Sequence, residues 1–470
     1  MKWRVPLALL SGISLYLSFA PINFWLGSYI GVALLFITLG DLAFKPRVFL
    51  AFLAGLAFFL PLLNWSGSYV GALPWLILST GQSGLFALIG IVPYRRRLSS
   101  ALLFASLFTL IELLRMKFPF SGFGWGRVGF TQLDSIAFLY PYLSITGITF
   151  LVVSFAVLAT ISRQGFVFTL LTVLLFASGN SNLRTTEISK NHLVVAAVQG
   201  GVDRLGLGFN NRAFSVLQRH IDETKRINRK VDLIIWPENA SDIDPIKNAQ
   251  AQGEIASLIS VVKTPLLLGA VEETDRGPSN SSLLFDAHAQ LLSRYVKQEL
   301  APFGEYIPLR TLAEALSPQA RSVVNFISGK KWKLHEINGI KFGSLICFEV
   351  VDDDLVRGAI SDGAEFLVAQ TNNATFGQSP EADQQLQITR SRAAELGRDI
   401  VVVSTTGHTA MINRNGAITN QIPQFRAGVN FATVTPIEER NIASHLGSGA
   451  WFFLLIALAT LSFHRSVFNR

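Results

Sequence analysis

An apolar run ends in the only cysteine of this 470-residue chain: Gly343-Ser344-Leu345-Ile346-Cys347-Phe348-Glu349. The run predicts a buried β-strand with Cys347 at its carboxyl end. A lone cysteine forms no disulfide within its chain, but its thiolate can serve as a nucleophile. Free cysteines are also common in protein cores, so two interpretations of Cys347 stay open at this point, a core residue and a nucleophile.

Two further predicted strands end in ionisable residues. Glu238 follows the apolar run 231–236, and Lys297 follows the run 291–296. Sites in α/β sheets are built at the ends of strands, so these two residues and Cys347 are candidates for one site. A carboxylate base, a cation for a developing oxyanion and a thiol together suit attack on a carbonyl carbon. The histidines show no recognisable arrangement, so a carboxylate–lysine mechanism is favoured over a cysteine–histidine one.

Composition divides the chain into membrane and aqueous parts. Half of the residues are hydrophobic and 15% are charged, and the mean hydropathy of +0.39 is too apolar for a soluble enzyme of this length. Residues 190–440 nevertheless have a normal globular composition. We predict a transmembrane bundle of about seven helices over 1–180, an aqueous catalytic domain over 190–440, and a C-terminal transmembrane helix with a cytoplasmic tail over 446–470.

About eight apolar segments have lengths near those of membrane spans, although the first, seventh and eighth are short. They lie near 5–20, 22–41, 48–68, 72–94, 99–118, 138–162, 165–178 and 446–463. Residues 1–20 also resemble a signal peptide, but another apolar segment follows at once, so an uncleaved first helix is preferred.

Basic residues mark alternate breaks between these segments, and the positive-inside rule therefore places both termini in the cytoplasm. The domain 190–440 is then outside the cytoplasm. In a Gram-negative cell this places the chain in the inner (cell) membrane and the domain in the periplasm. One break disagrees, because 115–135 should be external yet carries Arg115, Lys117 and Arg127. The net charge of +8 is explained largely by anchoring arginines, and no motif for nucleic acid is present.

Few ionisable residues lie inside the predicted spans, which argues against a transporter. Glu112 and Arg115 stand at helical i, i+3 spacing and form either a structural tie or a contact to a lipid head group. The loop 118–127 is rich in aromatic residues and glycine. It is either an interfacial belt or a floor beneath the aqueous domain that admits a lipid.

Apolar runs alternate with polar helical stretches throughout the aqueous domain, which predicts an α/β sheet covered by helices. Helices are predicted near 211–229, 248–262, 351–361 and 381–396, and a short polar linker over 179–192. Strands are predicted at 193–198, 231–236, 265–271, 281–286, 291–296, 341–347, 365–370 and 400–405.

Glutamate, lysine and cysteine in this order, each ending a strand, resemble the carbon–nitrogen hydrolase (nitrilase) superfamily, which implies an αββα sandwich. Longer strings are similar to the apolipoprotein N-acyltransferase family. They are Tyr-Val-Lys-Gln-Glu-Leu-Ala-Pro-Phe-Gly-Glu-Tyr-Ile-Pro at 295–308, Trp-Pro-Glu at 236–238, Ile-Cys-Phe-Glu at 346–349, and the segments 393–398 and 406–410. With the membrane layout included, the resemblance covers essentially the whole chain.

The resemblance implies acyl transfer in two steps without a metal or cofactor. Cys347 would take a fatty acyl chain from a phospholipid, typically phosphatidylethanolamine, and pass it to the α-amine of a diacylglyceryl-cysteine on an apolipoprotein. Glu238 would be the general base and Lys297 the oxyanion stabiliser. Glu305 matches the second glutamate of the family, and Glu349 matches its carboxylate after the cysteine.

Two departures from the family pattern concern the walls of the site rather than its chemistry. Thr375 stands where the family has a tryptophan, and so does one of Gly208 and Phe209. Two alternatives stay open. A membrane-tethered amidase would use the same three residues with water as acceptor, although eight spans exceed the single anchor it needs. A non-enzymatic scaffold with a dead hydrolase-like domain conflicts with retention of all three residues.

Overall fold

The computed structural model describes residues 2–68, 71–180, 192–206, 214–302, 304–311, 314, 321 and 324–468. The chain divides into two compact units. A helical unit comprises Met1–Thr185 with Asn441–Arg470, and a catalytic unit comprises Thr186–Arg440. Most of the predicted linker lies outside the described residues.

The α-helices are, in chain order, α1 Arg4–Leu17, α2 Leu26–Leu39, α3 Phe44–Leu62, α4 Ala72–Phe86, α5 Leu98–Lys117, α6 Leu133–Ile136, α7 Tyr140–Ile161, α8 Arg163–Asn180, α9 Ser215–Thr224, α10 Ala249–Val262, α11 Asp353–Ser361, α12 Glu381–Leu396, α13 Ile442–His445 and α14 Ser448–Phe468. The strands are β1 Leu193–Gln199, β2 Leu233–Ile235, β3 Leu266–Thr274, β4 Gly277–Phe285, β5 Leu291–Val296, β6 His335–Ile337, β7 Ile340–Ile346, β8 Phe366–Thr371, β9 Ile400–Ser404, β10 Thr409–Ile412, β11 Ile418–Ile422 and β12 Gly428–Val434.

Helices coincide with all eight predicted spans. Among the described residues, five helical stretches are long and apolar enough to cross a membrane: Phe44–Leu62, Ala72–Gly90, Leu98–Lys117, Leu133–Ile161 and Ser448–Arg465. The helices α1, α2 and α8 are apolar but shorter. At 14 residues, α1 and α2 are each about 21 Å long, less than the roughly 30 Å hydrocarbon core. The chain is therefore a membrane protein, and the count of eight spans stays a prediction.

Small residues let α1 pack closely against its neighbours. A Cβ on Gly12 would lie 2.2 Å from the Ala54 carbonyl oxygen of α3, and one on Gly31 of α2 would lie 2.8 Å from that of Ser11. The Ser11 hydroxyl also donates to the Gly31 carbonyl at 2.7 Å. Lipid chains supply no hydrophobic drive between helices, so such close contact and hydrogen bonding hold the bundle together.

A buried polar cluster fixes the segment 118–131 inside the helical unit. The Glu112 carboxylate accepts from the Val128 amide at 2.8 Å and the Thr149 hydroxyl at 2.7 Å, and it lies 3.9 Å from Arg127 Nε. Arg115 donates instead to Gln82 Oε1 and to the Trp125 carbonyl. Glu112 thus pairs with Arg127 and not with its helical neighbour Arg115, and the cluster is a structural tie.

The aromatic residues of this segment divide into two groups. Trp125 is 1% exposed, and its ring lies 5.1 Å from that of Trp65. Phe118 and Phe120 remain 57% and 46% exposed. Half of the segment therefore belongs to the core of the helical unit, while the other half presents apolar surface, as an interfacial belt does.

The described strands of the catalytic unit form two six-stranded sheets, with strand orders β12-β1-β2-β3-β4-β5 and β11-β10-β9-β8-β7-β6. Strands β1–β3 are parallel at the centre of one sheet, and β7–β9 are parallel in the other. The inner faces meet in an apolar layer: Val195, Ala197, Leu233, Ile235, Leu267, Leu284, Phe342, Phe366, Val368, Val401 and Val403.

Helices cover the outer faces of both sheets. The other face of the first sheet packs with α9 and α10 in a second apolar cluster, which includes Leu217, Ile221, Ile255 and Leu258. In the second sheet, α11 contacts β7 and α12 contacts β9. The expected αββα sandwich is confirmed, since each sheet buries its apolar faces between its partner sheet and a helical layer.

All eight predicted strands are present, but β6, β10, β11 and β12 were not predicted. Three of them, β6, β11 and β12, lie at sheet edges. Edge strands keep one side exposed and carry mixed residues, so their sequences lack a continuous apolar run. The strand β11, Ile-Thr-Asn-Gln-Ile, shows this pattern, with its three central residues exposed.

Candidate active site

Strand ends bring the three predicted residues together. Glu238 lies three residues after β2, Lys297 follows β5 directly, and Cys347 follows β7 directly. The Glu238 main chain is fixed because its carbonyl accepts from the Thr405 hydroxyl at 3.0 Å. Gly269 of β3 is required beside it, since a Cβ there would lie 2.2 Å from the Pro237 carbonyl oxygen.

Lys297 lies between two carboxylates. Its Nζ is 2.9 Å from Glu305 Oε1, 2.8 Å from Glu305 Oε2 and 3.6 Å from Glu238 Oε1. The lysine is 1% exposed. Burial disfavours the ammonium, but Glu305 and then Glu238 outweigh it and raise the pKa of Lys297 above its usual range. The side chain is therefore a permanent cation that can stabilise an oxyanion.

Asn280 of β4 fixes the positions of the Glu238 and Glu305 carboxylates relative to each other. Its Nδ2 donates to Glu238 Oε1 at 2.6 Å and to Glu305 Oε1 at 3.0 Å. Burial raises the pKa of Glu238, Lys297 opposes this, and Glu305 adds to the rise. A carboxylate with an elevated pKa is a better proton acceptor for a thiol than an ordinary glutamate.

Cys347 begins a 3₁₀ turn, Cys347–Val351, and has a φ of +52°. Residues other than glycine seldom adopt this left-handed conformation, and it occurs preferentially at functional sites. The side chain is half-buried. Burial raises the pKa of the thiol, the charge of Glu238 raises it further, and Lys297 counteracts both. Deprotonation of this thiol thus needs a nearby base.

Glu349 fixes the turn behind the cysteine. Its Oε2 accepts from the Ile346 amide at 2.7 Å, and its Oε1 accepts from the Tyr295 hydroxyl at 2.8 Å and the Gln298 amide at 2.7 Å. Burial raises the pKa of Glu349 to about 7 against these donors. The carboxylate links the end of β7 to the end of β5, and so it sets the position of Cys347 relative to Lys297.

A second group of polar residues beside Cys347 is not predicted from the sequence. Asn373 Nδ2 donates to Glu381 Oε2 at 2.6 Å and to Gln385 Oε1 at 3.0 Å. Gln385 Nε2 in turn lies 3.7 Å from Cys347 Sγ. The available signal was the i, i+4 spacing of Glu381 and Gln385 on one face of a predicted helix. An acidic residue in a first turn, however, is usually only a partner for the helix dipole.

Other residues singled out in the sequence lie apart from this chemistry. His408 pairs with Asp383 at 2.8 Å. Thr375 is half-buried in a 3₁₀ turn, Ala374–Phe376, whereas Gly208 and Phe209 lie outside the described residues. Throughout the described ranges, no three histidine, cysteine, aspartate or glutamate side chains are grouped so that they could hold a metal ion.

Comparison with known proteins identifies the family of the chain. The family model "Apolipoprotein N-acyltransferase N-terminal domain" matches residues 11–158, and the model "Carbon-nitrogen hydrolase" matches residues 194–442. A protein of Mycolicibacterium smegmatis named apolipoprotein N-acyltransferase is 34% identical over 449 residues, with 86% of this chain and 75% of that protein covered. The chain belongs to the apolipoprotein N-acyltransferase family.

Further relatives carry the same name. The apolipoprotein N-acyltransferase of Photobacterium profundum is 28% identical over 493 residues, with 98% of this chain and 94% of that protein covered. Among solved structures, the crystal structure of an amidase from Nesterenkonia sp. matches with a TM-score of 0.39 and 14% identity. That match covers 56% of this chain and 97% of the amidase.

Proposed function

We propose that this chain transfers a fatty acyl chain from a phospholipid to the α-amine of the diacylglyceryl-cysteine that begins an apolipoprotein. It would thereby carry out the last step of lipoprotein maturation. The observation that carries the proposal is the buried contact of Lys297 with Glu238 beside Cys347, in a member of this family. A thioester keeps the acyl group activated, and an amine accepts it readily.

In the first step, Glu238 accepts the proton of Cys347 Sγ, and the thiolate attacks the ester carbonyl of the phospholipid. The negative charge that develops on the carbonyl oxygen is stabilised by Lys297 Nζ. The S–C bond forms as this oxyanion develops, and the C–O ester bond breaks when the carbonyl forms again. Glu238 returns its proton to the departing oxygen, and a lysophospholipid leaves.

In the second step, the neutral α-amine of the apolipoprotein attacks the thioester carbonyl. Glu238 accepts a proton from the nitrogen, the C–S bond breaks, and the proton is delivered to Cys347 Sγ. The product is an amide, and the enzyme returns to its starting state. Donor and acceptor are used one after the other, so the kinetics are ping-pong.

Glu305 and Glu349 support this chemistry from outside the bonds that change. Glu305 forms an ion pair with the Lys297 ammonium and accepts from the Ala301 amide at 2.8 Å, so the ammonium keeps its charge and one position throughout the cycle. Glu349 holds the 3₁₀ turn of Cys347 through the Ile346 amide. Asn280 donates to both carboxylates and so holds Glu238 and Glu305 in fixed positions relative to each other.

We further propose phosphatidylethanolamine as donor and the periplasmic side of the inner membrane as the location of the catalytic unit. The charge alternation of the breaks supports this orientation. A membrane-impermeant thiol reagent tests it on Arg276→Cys, an exposed turn residue, in a Cys347→Ser background. Labelling in cells whose outer membrane alone is permeabilised is expected. Labelling only after inner-membrane lysis contradicts the orientation.

The transfer reaction is tested with the full chain in detergent, given a phospholipid with a labelled acyl chain and a diacylglyceryl-cysteine peptide. We expect the label in an amide of the peptide, and none when the α-amine is acetylated beforehand. Release of labelled fatty acid at a steady rate without any peptide would identify a hydrolase instead. Labelled amide formed by Cys347→Ala would exclude the cysteine as nucleophile.

A further inference from the structure

The side-chain amide of Asn373 has a defined orientation. Its Oδ1 accepts hydrogen bonds from the Thr371 hydroxyl at 2.9 Å and the Ser404 hydroxyl at 2.6 Å. Ser404 Oγ itself accepts from the Gly407 amide at 2.8 Å, so its own proton is directed to Asn373. Because an amide oxygen only accepts and an amide nitrogen only donates, Nδ2 of Asn373 must face the other way.

This orientation determines that of Gln385. Both protons of Asn373 Nδ2 have acceptors, Glu381 Oε2 at 2.6 Å and Gln385 Oε1 at 3.0 Å. A reversed Gln385 amide would set donor against donor. Gln385 therefore presents Nε2, a donor, to Cys347 Sγ at 3.7 Å. The chain of bonds runs from buried hydroxyls through two amides to the sulfur.

We propose that Gln385 is a further catalytic residue, whose amide donates to the sulfur of Cys347 and stabilises the thiolate, while Asn373 and Glu381 position it. The inference rests on the proposed function, in which Cys347 is the nucleophile. The Gln385 amide acts whenever the sulfur carries negative charge. This is the case before the thiolate attacks the phospholipid and again when the thioester breaks.

The charges around Cys347 explain why a neutral donor is useful there. The charged groups that face the thiol are the carboxyls of Glu238, Glu381 and Glu305 and the ammonium of Lys297. Lys297 is already engaged with Glu305 and Glu238. A second cation would compete with Lys297 for those carboxylates, whereas an amide stabilises the thiolate without altering the net charge.

Glu381 contributes in the opposite direction once it ionises. Burial raises its pKa to about 8, against the Asn373 bond, and the charges of Glu238 and Asp383 add to the rise. At neutral pH the carboxyl is therefore mostly uncharged and does not repel the thiolate. Above about pH 8 the negative charge of Glu381 opposes thiolate formation. Substitutions at 381 and 385 should therefore shift the pKa of the Cys347 thiol in opposite directions.

Cys347 is the only cysteine, so its alkylation by iodoacetamide can be followed on the full chain in detergent from pH 6 to pH 10. We expect Gln385→Leu to raise the apparent thiol pKa by about one unit, which makes alkylation about tenfold slower at a fixed pH below the pKa. We expect Glu381→Gln to lower it. A role in packing alone would not produce opposite shifts.

Gln387→Leu is the matched control, since Gln387 is the same residue type, on the same helix, and also buried. It should alkylate as the wild type does. Should Gln385→Leu fail to fold, Gln385→Glu fills the same volume and places a carboxylate against the sulfur, so its alkylation should be slower still. A thiol pKa within about 0.2 units of wild type in the folded Gln385 variant overturns the inference.

The failure of this inference and that of the proposed function are distinguishable. If Gln385→Leu has an unchanged thiol pKa while Cys347→Ala abolishes transfer to the peptide, the transferase stands and the role of Gln385 is wrong. If Cys347→Ala still transfers, the proposed function fails, whatever the alkylation rates are.

Discussion

The two units each bury a cluster of charged residues, and the clusters differ in what they leave available. In the helical unit, Glu112 receives donors at both oxygens, and Arg115 donates to a carbonyl and a glutamine. In the catalytic unit, Lys297 pairs with two carboxylates beside a half-buried thiol. Burial of charge alone therefore does not mark an active site. A partly exposed nucleophile, next to a base whose pKa is raised, does.

The largest effect is expected from the thiol, which has no counterpart in the helical cluster. Cys347→Ala should abolish N-acylation completely. Cys347→Ser should leave little activity, because a hydroxyl has a much higher pKa than a thiol and Glu238 is not suited to deprotonating it. Transfer of labelled acyl chain to the peptide measures both. Substantial transfer by the alanine variant would contradict the nucleophile assignment.

The next largest effect concerns the charges of the catalytic cluster. Lys297→Ala removes the cation that faces the oxyanion, and Glu238→Gln removes the base. Each should reduce the rate of transfer about 100- to 1,000-fold, or about 3–4 kcal/mol. Lys225→Ala, at an exposed lysine, is the control and should retain full activity. Rates of the folded Lys297 variant within tenfold of wild type would mean that another group stabilises the oxyanion.

The helical cluster should respond in stability rather than chemistry. Glu112→Leu leaves the Val128 amide and the Thr149 hydroxyl without their acceptor and removes the buried carboxylate that pairs with Arg127, which should destabilise the fold by about 3–5 kcal/mol. Thermal unfolding in detergent measures this loss, and Asp134→Asn, at an exposed carboxyl of the same unit, is the control. Alkylation of Cys347 in the folded Glu112 variant should match wild type. A changed thiol pKa there would break the distinction between the clusters.

The smallest effect, measured per pH unit, is a pH dependence that originates in the catalytic unit. The folded-state pKa of Glu381 is raised from 4.5 to about 8, so between these values the folded chain binds a proton that the unfolded chain has released. The contribution of Glu381 to the free energy of unfolding should therefore be fully present below about pH 4.5. It should fall as pH rises towards 8, by at most about 1.4 kcal/mol per pH unit.

Glu381→Gln should flatten this dependence, while Glu349, whose pKa is raised to about 7, preserves part of it. The thermal midpoint of unfolding measured from pH 5 to pH 8 makes the comparison. Identical slopes for the variant and the wild type would show that Glu381 is charged throughout that range.

Sequence predicted the part of the site that depends on strand ends. Glu238, Lys297 and Cys347 each follow an apolar run, and such runs are local signals that survive folding unchanged. Asn280, Asn373 and Gln385 lie on a strand, after a strand and within a helix, and they meet the reacting groups only through the registers of two sheets. No local pattern distinguishes them from other polar residues.

The charge pattern of the helical unit shows the same limit. Lys117 is exposed and still disagrees with the predicted orientation, whereas Arg115 and Arg127 disagree only when they are counted as loop charges. Both are buried among the helices, with Arg115 held by Gln82 and Trp125. The positive-inside rule applies to charges in loops outside the bilayer, and burial is not visible in the sequence.

The central claim is that Cys347 carries the acyl chain between donor and acceptor. Intact-mass analysis of the full chain after incubation with phosphatidylethanolamine alone tests it most directly. We expect one acyl adduct per protein, about one lysophospholipid released, no adduct on Cys347→Ala, and loss of the adduct on addition of a diacylglyceryl-cysteine peptide with a free α-amine. Steady release of fatty acid without an adduct, or an adduct that persists on the alanine variant, would contradict the account.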